Sequence, residues 1–473
     1  CWADPGIPGT GCGSTARSAI HSSTPAAPSP GSCSSAPSCS KPAPQEAAAS
    51  PSWRSTACSA RNSITVATWS FRRAGSGGAA AAKNCIASAS SIFTGPIRST
   101  NSPSITRTAS GSGCGTTSEP EHAVPLLAIE TTCDETAAAV ISRERKVLSS
   151  VVASQETLHA RWRGVVPELA SRAHVERIVP VIEEAVRRSG AGREGIEAVA
   201  VAIRPGLVGS LLVGLSAAKA IAVARGLPLV GYDHVAAHLY ACRLAAAERM
   251  RYPCVGLVAS GGHTSLFFVR GPLELERLGG TIDDAVGEAF DKAASLLGLG
   301  YPGGPAIEAA AKGGDPAAHR LPRPLARDQA TLDMSFSGLK TAIRYRVQPP
   351  AAASPRVRSQ RETADLAASF QEAAVETVLA KVDLAIERTG AGLVAAGGGV
   401  TANTRLREGL ARLAERRGVD LILPPRELCT DNAAMGAIAW ERLERGESDS
   451  LELEVVAGTD RRRAAARPAP TAQ

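Results

Sequence analysis

Aromatic side chains make up only 4% of this 473-residue chain, and methionine occurs three times. No apolar run reaches the roughly 20 residues that a membrane-crossing helix needs. The nearest is "GSLLVGLSAAKAIAVARG", rich in small residues and broken by Lys219, so a buried helix of a globular fold is expected there. The four cysteines after residue 122 are Cys133, Cys242, Cys254 and Cys429, with no C-x-x-C among them. Reduced thiols in a cytoplasmic protein are the plain reading. Neither Cys133 nor Cys429 has a histidine base beside it in sequence, which argues against a thiol nucleophile. H-E-x-x-H is absent as well, and with it the glutamate base of the helical zinc peptidases.

The first 122 residues contain no leucine and a single valine, Val66, amid dense Ser, Thr, Ala, Pro and Gly. Such a segment buries too little apolar surface to offset chain entropy, so disorder is expected. Seven of the eleven cysteines lie there in irregular spacing, which is neither a disulfide framework nor a metal motif. The first methionine is Met250, deep inside the regular part. We therefore expect the functional chain to start at Val124, an alternative start codon read as valine, with residues 1–123 an upstream translated segment. A Ser-rich, acid-poor transit extension is the competing reading.

This division changes the meaning of the charge. Residues 1–122 carry nine Lys/Arg against four Asp/Glu, and residues 459–473 carry four Arg against one Asp, so the +7 total leaves about −1 between them. The basic pI of 8.9 is thus no sign that the globular part binds nucleic acid.

From Leu126 the pattern becomes regular. "LLAIETTCDETAAAVI" and "CVGLVASGGHTSLFFV" each read as strand, small polar turn, strand. Helical stretches follow each ("HVERIVPVIEEAVRRSG" and "DDAVGEAFDKAASLLGLG"), and short strands recur at "IEAVAVAI", "LPLVGYD", "GLVAAGG" and "DLILPP". The alternation predicts an α/β protein with a duplicated domain and a cleft between the halves. We expect lobes over 124–245 and 246–458, flanked by the segment 1–123 and a disordered Arg/Ala/Pro tail over 459–473. Gly261–Gly262, Gly303–Gly304 and Gly397–Gly399 sit at strand ends or before helices, where backbone N–H groups can approach a phosphate. Each pair alone is equally read as an ordinary turn.

His234 and His238 stand four residues apart in a helical stretch, and so share one helix face. Spacing alone leaves two readings open, a metal site and two ordinary helix histidines.

A set of motifs then becomes specific. "IETTCDET", "GVVPELASRAH", "PGLVGSLLVG", "SGGHT", "DDAVGEAFDKAASLLGLGYPGGP", "MSFSGLKT", "GGGVTANTRLRE" and "CTDNAAM" follow one another between Leu126 and Gly458. Together they resemble the tRNA adenosine threonylcarbamoyltransferases, the bacterial TsaD group once classed as O-sialoglycoprotein endopeptidases. The resemblance implies a duplicated actin-like (ASKHA, ribonuclease H-like) fold. It implies transfer of threonylcarbamoyl from threonylcarbamoyl-AMP to N6 of adenosine 37 in tRNAs reading ANN codons. It also implies one divalent metal per subunit, Fe(II) in preference to Zn(II), held by His234, His238 and Asp431. The nucleotide contacts carried over are Val258, Ala259, Ser260, Gly261, Gly262, Asp291, Gly304 and Asn403. Asp134 and Glu135 are candidate acid/base groups. Two partners are implied, an inactive TsaB-like paralogue and a small TsaE-like ATPase. The alternatives are a non-catalytic nucleotide-binding scaffold of the same complex and a metallopeptidase.

The chain departs from the group's pattern in places. Ala236 stands where many relatives carry glutamate inside the histidine motif, Arg204 where glycine is usual, and Trp162–Arg163 where Tyr-Gly is usual.

Overall fold

The computed structural model describes residues 125–348 and 358–458. The expectations for residues 1–123, for a start at Val124 and for the tail 459–473 fall outside the described residues.

Two five-stranded sheets organise the described chain. The first contains β1 (Leu126–Glu130), β2 (Glu135–Ile141), β3 (Val147–Ser154), β4 (Ala198–Arg204) and β5 (Leu229–Asp233). Its spatial order is β3-β2-β1-β4-β5, with β1, β2 and β3 antiparallel and β4 and β5 parallel to β1. The second contains β6 (Cys254–Ala259), β7 (Thr264–Gly271), β8 (Glu274–Gly280), β9 (Leu393–Gly397) and β10 (Asp420–Ile422). Its order is β10-β9-β6-β7-β8, the same path repeated. This repeat is the duplicated actin-like arrangement expected from the motifs.

The inner strands β1, β2, β4, β6 and β9 read as near-continuous apolar runs because both faces of each sheet are covered there. Side chains alternate between the two coverings. On β1, Leu127 and Ile129 enter an outer core with Ile178, Ile182, Leu215 and Ile221. These come from α1 (Pro167–Ser189) and α2 (Val208–Arg225). Leu126 and Ala128 face inward, into a shared core with Val230, Leu239, Val258 and Leu393, drawn from both sheets. At the centre of that shared core lies α3 (His234–Ala245). The second sheet's outer core is built on α4 (Val286–Leu297) and the long helix Gln360–Thr389, whose Phe290 and Phe370 meet edge to face with centroids 5.1 Å apart.

Two expectations need correction. Helix α2 is long and apolar enough by composition to span a membrane. It packs on the first sheet, yet it is not buried all round, for Val208, Leu212 and Val223 are exposed. The division at 245/246 also fails for the end of the chain. The turn Ala433–Ala439 packs into the shared core. Beyond it, Asp449 N donates to Leu229 O at 2.7 Å and Val456 N to Ile203 O at 2.9 Å, so residues 433–457 return to the first sheet.

Candidate metal centre and interlobe cleft

Helix α3 begins directly at the end of β5. Asp233 caps it, its Oδ1 accepting from Ala236 N at 3.0 Å. This fixes His234 at the first helical position and His238 one turn on, both buried. Their rings meet at 74° with centroids 4.5 Å apart. From the other side comes Asp431, just after the short helix Arg426–Cys429. Its Oδ1 lies 3.1 Å from His238 Nε2 and 3.6 Å from His234 Nε2.

Ligand atoms of these three residues lie within 4.8 Å of one another. Neither ring nitrogen of the buried His238 has a hydrogen-bond partner, although Asp431 Oδ1 approaches Nε2 at 3.1 Å. Buried polar atoms are normally satisfied, and a cation among these donors would supply what His238 is missing. His234 is differently placed. Its Nδ1 lies 3.2 Å from Glu130 Oε2 and 3.2 Å from Thr132 Oγ1, which leaves Nε2 toward Asp431. A carboxylate behind a ligating imidazole is the usual means of orienting it.

The electrostatics agree with a cation site. Burial disfavours a charged His234, but Asp431 and Glu130 outweigh it and raise the imidazole to about 9. Burial would likewise raise Asp431, and the facing His234 and His238 hold it below the carboxylate range instead. His263, with its ring centroid 6.3 Å from that of His234, is lowered to about 4 by burial and by the two histidines.

The cluster opens on a cavity of about 630 Å³ between the two hairpin turns, lined by Asp134, Glu135, His234, Asp291, Gly304 and Asp431 among others. Ser260, Gly261 and Gly262 line it too. Beside them, Gly398 has φ +97°, and a Cβ there would come within 2.4 Å of Ala259 O, so the turn after β9 demands glycine. Asp291 accepts from Gly303 N at 2.7 Å, yet burial outweighs that bond and raises its carboxyl to about 6. Helix α5 (Gly303–Ala311) points its N-terminus, with Gly304, at the same space. Burial first, and then Asp134, push Glu135 well above the carboxylate range.

Not every carried-over residue faces the cleft. Val258 and Ala259 are fully buried on β6 and do not line the cavity, because strand pairing turns their side chains into the two cores. Asn403 lines it, but its amide is occupied, bonding Gln371 at 2.9 Å, Glu308 at 3.3 Å and Leu406 N at 3.1 Å. Cys133 lines it as well, with burial and Asp134 raising its thiol.

Two residues escaped the sequence reading. His263 was quoted only inside "SGGHT". Glu130 ends the otherwise apolar strand "LLAIE", and a buried charge at that place was the available signal.

Fold and cleft together define a two-lobed α/β enzyme of the duplicated actin-like class, with a centre of two histidines and one aspartate. A family model described as "TsaD: tRNA N6-adenosine threonylcarbamoyltransferase" matches residues 146–438. A curated relative of that name from Rhodopirellula baltica is 48% identical over 349 residues, covering 71% of this chain and 97% of the relative. Another, from Anaeromyxobacter dehalogenans strain 2CP-C, is 53% identical over 330 residues, covering 69% and 97%. Among solved structures, the ROK hexokinase of Thermus thermophilus aligns with 15% identity and a TM-score of 0.37, over 68% of this chain and all of that one. The chain belongs to the TsaD family of tRNA N6-adenosine threonylcarbamoyltransferases.

Proposed function

We propose that the chain transfers the threonylcarbamoyl group from threonylcarbamoyl-AMP to N6 of adenosine 37 in tRNAs reading ANN codons. The new bond joins N6 to the carbamoyl carbon. The bond from that carbon to the AMP phosphate oxygen breaks, AMP leaves with the electron pair, and N6 loses a proton. The observation that carries this reading is one cavity lined by Gly261, Gly262, Gly304 and Asp291, with the His234–His238–Asp431 cluster at its wall.

Each side chain has a task in this scheme. Ser260, Gly261, Gly262 and the N-terminus of α5 hold the AMP phosphate through backbone N–H groups. Asp291, ionised above about 6, accepts from the ribose hydroxyls. Glu135, its carboxyl raised by burial and by Asp134, favours donating a hydrogen bond, and Asp134 beside it in the cavity accepts the N6 proton. We assign a divalent ion to His234, His238 and Asp431, Fe(II) before Zn(II), since two histidines and a carboxylate with open positions suit a non-haem iron site. When bound, it supplies Lewis-acid polarisation of the threonylcarbamoyl carbonyl.

The metallopeptidase alternative lacks the glutamate that H-E-x-x-H places beside the histidines. Ala236 carries no carboxylate, and Glu130 is fully buried and spent on Thr132 N, Tyr232 Oη and His234. The scaffold alternative leaves a clustered triad without a task. We further propose that the chain works in the cytoplasm, with a TsaB-like paralogue and a TsaE-like ATPase. Four free thiols among the described residues support the reducing compartment. The exposed apolar strip of α2 supports a protein partner.

The test compares two unmodified tRNAs, one with adenosine and one with guanosine at position 37, in the presence of threonylcarbamoyl-AMP. AMP release that needs adenosine at that position supports the transfer. Equal release with both tRNAs contradicts it.

A further inference from the structure

A loop at the rim of the cavity carries an exposed aromatic group between two cations. Ser154 and Glu156 line the cavity, and the chain then makes a helical turn (Glu156–His159) and a tight turn (Ala160–Trp162) before α1. Trp162 is 56% exposed, and the Arg161 guanidinium lies 5.0 Å from its ring centroid. Arg163 follows at φ 56°. Neither arginine enters an ion pair among the described residues. The nearest carboxylates along the chain, Glu156 and Glu168, sit at the two feet of the loop and not at its tip.

The loop is pinned underneath. Val166 N donates to Nδ1 of the fully buried His159 at 3.4 Å, so Nε2 carries the proton toward Gln155 Oε1 at 3.2 Å. Gln155 donates in turn to Ala170 O at 3.3 Å from its side chain and to Asp134 O at 3.0 Å from its backbone. The foot of the loop is thus tied to the first hairpin turn, where the cavity begins. The half-exposed indole therefore presents free ring surface on a loop tied to the wall of the cavity.

We propose that Trp162, with Arg161 and Arg163, is a docking platform for RNA, on which an unpaired base of the substrate's anticodon loop stacks. The proposal rests on the tRNA reading above and extends it to a surface. An adenine must leave its own stack to put N6 inside a cavity, and single-stranded RNA is held by stacking its bases on aromatic rings. With Arg161 against one face, the exposure of Trp162 leaves ring surface for a base. Arg163 and Arg161 are the cations available for the adjoining phosphates.

The test measures equilibrium binding of labelled, unmodified tRNA to the full chain and its variants, without turnover. Trp162→Ala weakens tRNA binding at least about fivefold and Trp162→Phe weakens it less, as loss of a stack requires. Arg161→Ala and Arg163→Ala each reduce the slope of log Kd against log salt by about 0.7–1. AMP affinity stays at the wild-type value in Trp162→Ala, which shows that the cavity is intact. Wild-type tRNA affinity in Trp162→Ala overturns the proposal. So does a loss confined to binding of a partner protein, which would make the platform a protein interface. A wild-type chain that binds tRNA but forms no modified nucleoside counts against the transferase reading alone.

Discussion

Glu130 Oε2 stands 3.2 Å from His234 Nδ1, with the carboxylate fully buried at the end of β1 and the imidazole at the first position of α3. The other bonds of this carboxylate go to Thr132 N at 3.0 Å and Tyr232 Oη at 3.2 Å, so it can neither turn away nor hydrate. It holds the ring with Nε2 toward Asp431. Glu130→Ala should therefore weaken metal binding about 10- to 100-fold, as read by chelator competition. An unchanged affinity would show that the packing of α3 alone orients the ring.

The His238 ring has no well-aligned hydrogen-bond partner, and it faces Asp431 Oδ1 at 3.1 Å. His238→Ala should reduce bound metal from one equivalent to a trace by elemental analysis, while far-ultraviolet circular dichroism keeps the wild-type form. Retention of a full equivalent would place the metal elsewhere.

The raised carboxyl of Asp291, about 6, sets a pH window. Its unfolded value is near 3.9, so between about 4 and 6 the folded chain binds the extra proton. Stability thus falls as pH rises through that window and stays lower above it. Asp291→Asn keeps an oxygen for Gly303 N and removes the buried charge. It should raise the thermal midpoint at pH 8 and leave it nearly unchanged at pH 4. AMP binding should weaken below pH 6 in the wild type and show no such step in the variant.

Arg204 Nε pairs with Asp233 Oδ2 at 3.1 Å, both side chains partly exposed. Such a pair contributes less than about 1 kcal/mol, so Arg204→Gly should be mild. Asp233→Ala also removes the helix cap, a loss of about 0.5–2 kcal/mol. Urea denaturation of the two variants should rank them in that order.

Gly397 carries the tightest approach behind the centre, since a Cβ there would come within 2.2 Å of His238 O. Backbone cannot yield as a flexible side chain can, so Gly397→Ala should lower stability by about 1–3 kcal/mol and metal affinity with it. Unchanged metal binding would show that α3 can shift without disturbing its histidines.

Periodicity was enough for eight of the ten described strands, and the repeated hairpin signalled the duplication, but the edge strands β3 and β8 were missed because "VLSSVVAS" and "ELERLGG" mix polar residues into the apolar pattern. The return of residues 433–457 to the first sheet was not readable in that way. It depends on small residues such as Gly436, which sits against Ala128 and Tyr232 far away in sequence. At the site, the i and i+4 spacing brought His234 and His238 forward, whereas Asp431 needed the family motifs to join them. Glu130 was hidden because its partners, at Tyr232 and His234, lie about a hundred residues away. Val258 and Ala259 came forward with their motif, although only the turn that follows them reaches the cleft.

The central claim is most directly tested on the RNA product. The full metal-loaded chain, incubated with unmodified tRNA, threonylcarbamoyl-AMP and the two partner proteins, should yield threonylcarbamoyladenosine on nuclease digestion and mass spectrometry, and the His238→Ala chain should yield none. A folded, metal-loaded wild-type chain that leaves adenosine unmodified would contradict the account.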